Sequence, residues 1–336
     1  MTLVTFGEAL LRLTPPHFQR LEQAQTFDAH IGGAELNVAV AASRLGLAAR
    51  WVSRLPDNAL GRTVANRARE HNVDVSRVVW SNDASERLGL YFMEMGAAPR
   101  PSTILYDRSA SAFRRLTIGA IDWSEALHGA TWFHASGITA ALGEAPLAVL
   151  KEAMAAAHAA QITVSYDLNF RGTLWSARQA REAQEPLMEY VDVLVTSEES
   201  ARTVFAVQDE NSSAGQESAS HAARQLQDRF GTSAIAMPVR SSPRNRVTSV
   251  SGVVVTRGDM RCSPSHEVEI VDPIGSGDAF VAGIIYGRLR QDSWDAGVRY
   301  GAAMAALKLT VPGDFSRATL VEVEECMNGT GRAVRR

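Results

Sequence analysis

The sequence predicts an α/β protein with a mainly parallel central sheet flanked by helices and a small, separate β-sheet beside it. Three observations carry this expectation. Short β-branched runs alternate with longer helical ones, and two extended stretches interrupt that alternation. Late in the chain, a β-branched run breaks into the glycine turn of "VDPIGSGDAFVAG" (residues 271–283), and an apolar helix follows at once.

In chain order the strand candidates are "LVTFG" near the start, "ARWVSRL" near 50, "TWFHA" from Thr131, "ITVSYD" from Ile162, "VDVLV" from Val191 and "SAIAMPV" from Ser233. Helices are expected over "AELNVAVAASRLG" from Ala34, from Pro146 to Ala160 and from Ser218 to Phe230, with Gly46 and Gly231 at C-cap positions. The interrupting segments, about 12–31 and about 86–110, read as extended, the second as a hairpin around a Gly/Ala/Pro turn. Paired with each other they would make a lid. "VQDENSSAGQESAS" from Val207 reads as an exposed loop and "MNGTGRAVRR" as a frayed tail. No internal repeat is visible, and one domain spanning 1–336 is expected.

A composition that is 46% hydrophobic lets a chain of 336 residues bury a large core without disulfide or metal staples. The formal charge of −3 and scattered arginines lack the basic stripe of a nucleic-acid binder, so a small-molecule partner is expected. Cys262 and Cys326 are far apart and have no Cys or His at ligand spacing, so they read as inert thiols of a cytoplasmic protein. "MTLVTFGEALLRL" has no basic stretch ahead of its apolar residues, and nowhere do roughly eighteen apolar residues run unbroken, so neither signal peptide nor membrane span is expected.

The chemistry concentrates in "VEIVDPIGSGDAFVAGIIYG", which reads as strand, tight loop and buried helix. A helix N-terminus offers unpaired backbone N–H groups, and glycines let that backbone approach an anion, so Gly275, Ser276 and Gly277 form a candidate phosphate cradle. A carboxylate beside such a cradle repels a resting anion. Asp278 therefore makes sense as a base that takes a proton from a hydroxyl attacking phosphorus. The plainer alternative is a turn whose aspartate caps the helix. The spacing is not GxGxxG, and no GxxxxGK[ST] occurs, which argues against dinucleotide-binding and P-loop readings.

With that loop and the early "GGAELNVAVAASRLG" together, the chain resembles the ribokinase-like (PfkB-type) sugar kinases over essentially its whole length. The matching positions are Gly32, Gly33 and Asn37 in the first motif and Asp272, Gly275, Gly277 and Asp278 in the second. Within that family "GEALLRLTPP", "GGAE", "YDRSASA" from Tyr106, "DLNFRGTLW" from Asp167 and "LKLTVPGDFS" look most like a 2-keto-3-deoxygluconate kinase. The resemblance implies that ATP donates its γ-phosphate to the C6 hydroxyl of such a sugar acid, with Asp278 as base, the Gly275–Ser276–Gly277 amides as anion hole and Mg²⁺ as cofactor. It places Gly33, Asn37, Tyr91, Tyr106, Arg108 and Arg171 around the substrate, the arginines facing its carboxylate. Read without it, Arg108 could belong to a solvated basic group with Arg114 and Arg115, Arg171 could pair with Asp167, and Asp167 and Asn169 could be turn formers.

Departures from the family pattern are visible. The usual N-x-x-E is replaced by Ser197 and Ser200 with Glu198 and Glu199 between them, which leaves the metal ligands unknown and Ser197 and Glu199 as candidates near the nucleotide. "VRSSPRNRVTSVSG" stands where a Lys-x-Gly-x-x-Gly is common, with Arg240 as the phosphate candidate, and Pro273 replaces a threonine. A monovalent cation such as K⁺, held by backbone carbonyls near Asp272, is a further family expectation. His134, Trp132, Phe133 and Trp175 read as packing residues. Leu88, Leu90 and Phe92 suggest an apolar hairpin face that a second copy would cover, giving a homo-oligomer through the lid. Competing readings are a kinase of fructose or ribose, a kinase of the galactonate epimer, a non-catalytic sugar-acid sensor and a nicotinamide-dependent reductase.

Overall fold

In the computed structural model, which describes residues 1–208, 214–242 and 246–329, the alternation in the sequence becomes one large sheet with a second small one beside it. β1 (Thr2–Phe6), β2 (Leu10–Thr14) and β3 (Asp28–Gly32) lead into α1 (Ala34–Arg44), β4 (Ala48–Pro56) and α2 (Ala59–Glu70). Next come β5 (Val73–Asp74), β6 (Val78–Ser81), β7 (Gly89–Glu94), β8 (Thr103–Asp107) and α3 (Trp123–Ala126). The middle of the chain holds β9 (Ala130–Ser136), α4 (Gly137–Ala141), α5 (Glu144–Ala159), β10 (Thr163–Asp167), α6 (Ala177–Gln184), β11 (Val193–Val195), α7 (Glu198–Phe205), α8 (Gln216–Phe230) and β12 (Ala234–Arg240). β13 (Val247–Thr256), β14 (Asp259–Cys262), β15 (His266–Glu269), α9 (Ser276–Gln291), α10 (Trp294–Leu309) and α11 (Leu320–Asn328) complete it.

The large sheet runs β14-β13-β12-β11-β10-β9-β1-β4-β5, with β15 on β13 and β6 on β4. From β5 to β12 the pairs are parallel, and only the β13, β14 and β15 edge is antiparallel. Both faces are buried: Val4, Phe133 and Leu194 point into one apolar cluster, while their neighbours Leu3, Trp132 and Val193 point into the other. Continuous apolar strands are what a doubly covered parallel sheet requires. The direction of chain progression reverses at β1, which lies between β9 and β4, and ligands of such sheets bind at the carboxyl ends of the strands near such a reversal.

The small sheet has the order β3-β2-β7-β8, so the two interrupting segments do pair. Its first strand already starts at Leu10, and two short 3₁₀ turns at Pro16–Phe18 and Leu21–Gln23 occupy the middle of the first segment. Two loop expectations need correction. Residues 216–220 belong to α8, where Ser218 is buried and hydrogen-bonds Glu198 of α7; residues 209–213 lie outside the described residues. Met327 and Asn328 extend α11, which a Thr319–Glu322 capping box starts and a left-handed Gly329 ends; residues 330–336 lie outside the described residues.

Helices α9 and α10 fix the position of the glycine turn. A Cβ on Gly283 would meet the Gly301 nitrogen at 2.5 Å, and one on Gly287 the Gly297 nitrogen at 2.4 Å. The two backbones therefore touch, and α9 is buried from Ala279 through Gly287. Its N-terminus is held rigidly at the strand ends.

Candidate active site

The turn before α9 works only with glycine at its pivot. Gly275 has φ +81°, and a Cβ there would lie 2.1 Å from the Asp314 carbonyl oxygen. Its own carbonyl accepts from the Ala279 N–H at 2.9 Å, which leaves the N–H groups of Ser276, Gly277 and Asp278 without an intrahelical acceptor at a positive dipole end. Nothing lies within 4 Å of where a Gly277 Cβ would be. The loop thus presents free helix N-terminal amides beside the cavity, the arrangement an anion cradle requires.

Asp278 sits in the first turn of α9, and its carboxylate is held from α1, where Asn37 Nδ2 donates to Oδ2 at 2.6 Å. Burial pushes the Asp278 carboxyl up to about 6; the Asn37 hydrogen bond, Arg171 and Lys308 oppose the rise and Asp314 adds to it. Two more carboxyls lie near it, Glu35 buried and Asp167 half-buried. Glu35 of the "GGAE" stretch accepts from Ser136 N, Ser136 Oγ and Thr139 Oγ1 at 3.0, 2.7 and 3.1 Å, and burial carries it to about 7. Asp167, at the end of β10, is raised to about 7 by burial and by Asp278. A carboxyl that titrates near neutrality in a cleft is suited to proton transfer.

A cavity of about 690 Å³ spans this corner and the inner face of the small sheet. Gly33, Asn37, Tyr91, Tyr106, Arg108, Arg171, Ser197, Arg240, Gly275, Gly277 and Asp278 all line it, so the residues named from sequence converge. Ser276 is buried behind the wall, its hydroxyl donating to the Ala305 carbonyl at 3.2 Å and accepting from Arg240 Nη2 at 2.7 Å. A Cβ on Gly33 would strike the Glu8 carbonyl oxygen at 2.2 Å, which explains the glycine there.

Several side chains are committed differently from expectation. Arg108 is buried and ion-paired with Glu8, which Ser111 also hydrogen-bonds, and its guanidinium lies 5.6 Å from the Tyr106 ring centroid. A solvated group with Arg114 and Arg115 is thus ruled out for it. Buried Tyr91 donates its hydroxyl to Asp314, and that phenol is correspondingly hard to ionise. Arg171 is exposed on the loop after β10 and lowers the pKa of both Asp167 and Asp278. Asn169 closes a turn onto Asp167 Oδ1 at 3.0 Å with φ +38°, as an Asx turn does, while also lining the cavity.

Ser197 caps α7 by accepting from Ser200 N at 3.1 Å, and both serines line the cavity. Glu199 is exposed and not part of the lining, and Glu198 is spent on Arg202 and Ser218. Among the described residues, no group of three or more His, Cys, Asp or Glu side chains could hold a metal ion. His134 hydrogen-bonds Ser165 at 2.8 Å inside the sheet, and burial lowers its pKa to about 3; Trp132 and Phe133 are core residues.

Five site residues went unassigned from sequence: Glu8 and Arg12 in "GEALLRL", Glu35 in "GGAE", and Lys308 and Asp314 in "LKLTVPGDFS". Asp314 lines the cavity and accepts from Arg12 Nη1 at 3.1 Å and from Tyr91. Asp272 is not an open cation ligand, because Arg12 Nη2 lies 2.8 Å from its Oδ2.

The model for the pfkB family carbohydrate kinases matches residues 2–318. A 2-dehydro-3-deoxygalactonokinase of Haloferax volcanii is 38% identical over 97% of this chain and 96% of its own length. The crystal structure of a 2-dehydro-3-deoxygluconokinase from Thermotoga maritima superposes with a TM-score of 0.93 at 37% identity, covering 98% of each chain. A fructokinase-1 of Oryza sativa subsp. japonica is 29% identical over 97% of each. An amide cradle with a carboxylate at its head, in a chain matched from end to end, has one explanation: the protein is a phosphotransferase with an alcohol acceptor and belongs to the pfkB family of carbohydrate kinases.

Proposed function

We propose that the protein transfers the γ-phosphoryl group of ATP to the C6 hydroxyl of 2-keto-3-deoxygluconate, giving 2-keto-3-deoxy-6-phosphogluconate. The observation that carries this reading is Asp278, held by Asn37 at the head of the Gly275–Ser276–Gly277 amides, with Arg171 close enough to lower its pKa within one cavity. Asp278 accepts the proton of the attacking hydroxyl. The loop amides hold the transferring phosphoryl group as charge develops on it, a preorganised donor being worth roughly 3 kcal/mol of barrier. Arg240, fixed on Ser276, faces the phosphates from the β12 side. Mg²⁺ bound with the nucleotide would neutralise phosphate charge and needs only one or two protein carboxylates.

Arg171 and Arg108 supply the cations that a sugar acid requires and a neutral sugar does not. Arg108 is already paired with Glu8, so Arg171 is the principal carboxylate partner. The small sheet acts as a lid: Tyr91, Tyr106 and Arg108 close over the sugar and exclude water, which would otherwise accept the phosphoryl group. Its outer face carries Phe92 against Phe27 and the 60% exposed Leu105, a surface suited to covering by a second copy; Leu88, expected there, is instead buried in the main body. One observation favours a second substrate: the Haloferax relative is named for the galactonate epimer.

A coupled ADP-release assay with both epimers, fructose and ribose tests the proposal. Turnover with the gluconate compound at least tenfold above either neutral sugar is expected. A preference for fructose or ribose would overturn it, and absence of ADP release with every acceptor would favour a sensor.

A further inference from the structure

We infer that Lys308 and Arg12 are built-in counter-cations of the phosphate-binding loop, and that this kinase therefore draws no monovalent cation from solution. The inference rests on the phosphotransfer chemistry of the loop and not on which sugar is phosphorylated.

Lys308 lies in the last turn of α10 and is 0% exposed. Its Cε is 3.4 Å from where a Gly275 Cβ would be, so its stem packs directly beneath the pivot of the anion loop. Its ammonium donates to the Val311 carbonyl at 3.1 Å and feels Asp272, Asp314, Asp278 and Arg12. A lysine at a helix C-terminus is by itself an ordinary cap. Here it is wholly buried, next to the loop that must receive a polyanion, among three carboxylates and with Arg12 in its field.

Arg12, on β2 and 1% exposed, spans Asp272 and Asp314 at 2.8 and 3.1 Å, with its Nε donating to Thr14 at 2.8 Å. Asp272 accepts two backbone N–H groups as well: Oδ2 from Gly313 N at 2.9 Å and Oδ1 from Ile274 N at 3.0 Å. A dissolved cation held near Asp272 would need free carboxylate and carbonyl oxygens. Both carboxylate oxygens already accept N–H groups, the nearby Val311 carbonyl receives Lys308, and two fixed positive charges face the Asp272 and Asp314 pair. A third cation would meet two like charges and find only Asp278, the base, as a counter-charge, and a poorly compensated buried charge is disfavoured. The residues present do not fit the K⁺ expected near Asp272.

The unmodified protein is tested first, at equal ionic strength in potassium, sodium and tetramethylammonium chloride. Turnover within about twofold across the three salts is expected, since only general screening differs little between them. Melting temperatures without substrate should also agree, because a salt that does not bind the native state gives no linked stabilisation. The melt needs no acceptor, so it stands even if the sugar-acid reading fails. Stimulation of turnover by K⁺ of about tenfold, or a K⁺-specific rise in melting temperature, would overturn the inference.

Lys308→Met should lower kcat on the order of 100-fold while KM for the acceptor moves far less. In Lys308→Ala, ammonium, methylammonium or K⁺ should restore part of the lost rate. A Lys308→Met enzyme at the parental rate would reduce Lys308 to a helix cap and sink the claim. If neither variant folds, the salt series on the parent decides the matter.

Discussion

The two sheets contribute to the cavity through different physics. The large sheet supplies mainly backbone, the Gly275–Ser276–Gly277 amides set by the contact of α9 with α10, together with one strand-end side chain, Asp167. The small sheet supplies side chains, and its long ones are tied to the main body, Arg12 to Asp272 and Asp314, Tyr91 to Asp314, and Arg108 to Glu8. A backbone site is specified by a few contiguous residues. A side-chain site assembled from two sheets is specified by pairings across the whole chain, so changes at the catalytic corner should strike the chemical step and changes in the lid should strike stability and substrate affinity.

The sharpest break in that division would come from Asp278. Asp278→Asn keeps the Asn37 contact geometry but cannot accept a proton, so kcat should fall about 10³-fold while ATP affinity, measured calorimetrically, stays within a few-fold. Gly275→Ala comes next. Its Cβ would collide with the Asp314 carbonyl at 2.1 Å and the residue would be held at φ +81°, so the amide cradle should distort and kcat drop about 100-fold.

On the small-sheet side, Arg12→Met removes the guanidinium that spans two buried carboxylates and should cost about 3–5 kcal/mol in denaturant unfolding, more than it changes kcat in whatever remains folded. Arg171, on the loop after β10 of the large sheet, is an exception to that division: Arg171→Met should raise KM for the sugar acid by about tenfold or more with KM for ATP nearly unchanged. Equal effects on both substrates would show that Arg171 does not contact the acceptor.

A separate effect is a pH dependence of stability. Burial raises Glu35 from 4.5 to about 7, so the folded protein binds its proton more tightly than the unfolded chain does. That contribution favours the folded state below about pH 4 and is lost as pH rises through 7, amounting to roughly 3 kcal/mol. Glu35→Gln, which keeps an acceptor for Ser136 and Thr139, should flatten the decline in melting temperature between pH 5 and 8.

The same division explains what the sequence could reveal. The parallel order of the sheet followed from alternating strands and helices, and the cradle from contiguous glycines ahead of Asp278. Glu8, Arg12, Lys308 and Asp314 sat in stretches whose character was noticed, yet their roles depend on partners such as Arg12 and Asp314, 302 residues apart. A buried arginine and an exposed one look alike in a sequence. Arg108 and Arg171 both face the substrate carboxylate in the sequence reading, and burial against Glu8 separates them. Leu88 was assigned to the wet hairpin face because its proximity to Leu90 and Phe92 gave no sign that it precedes the strand and turns into the main core.

The most direct test is the pH profile of kcat/KM at saturating ATP. A base must be unprotonated to act, and Asp278 is raised from 3.8 to about 6. The rate should therefore fall tenfold per pH unit below about pH 6, with one proton taken up along that limb. A rate that stays level down to pH 4.5 would show that Asp278 is not the group removing the acceptor's proton.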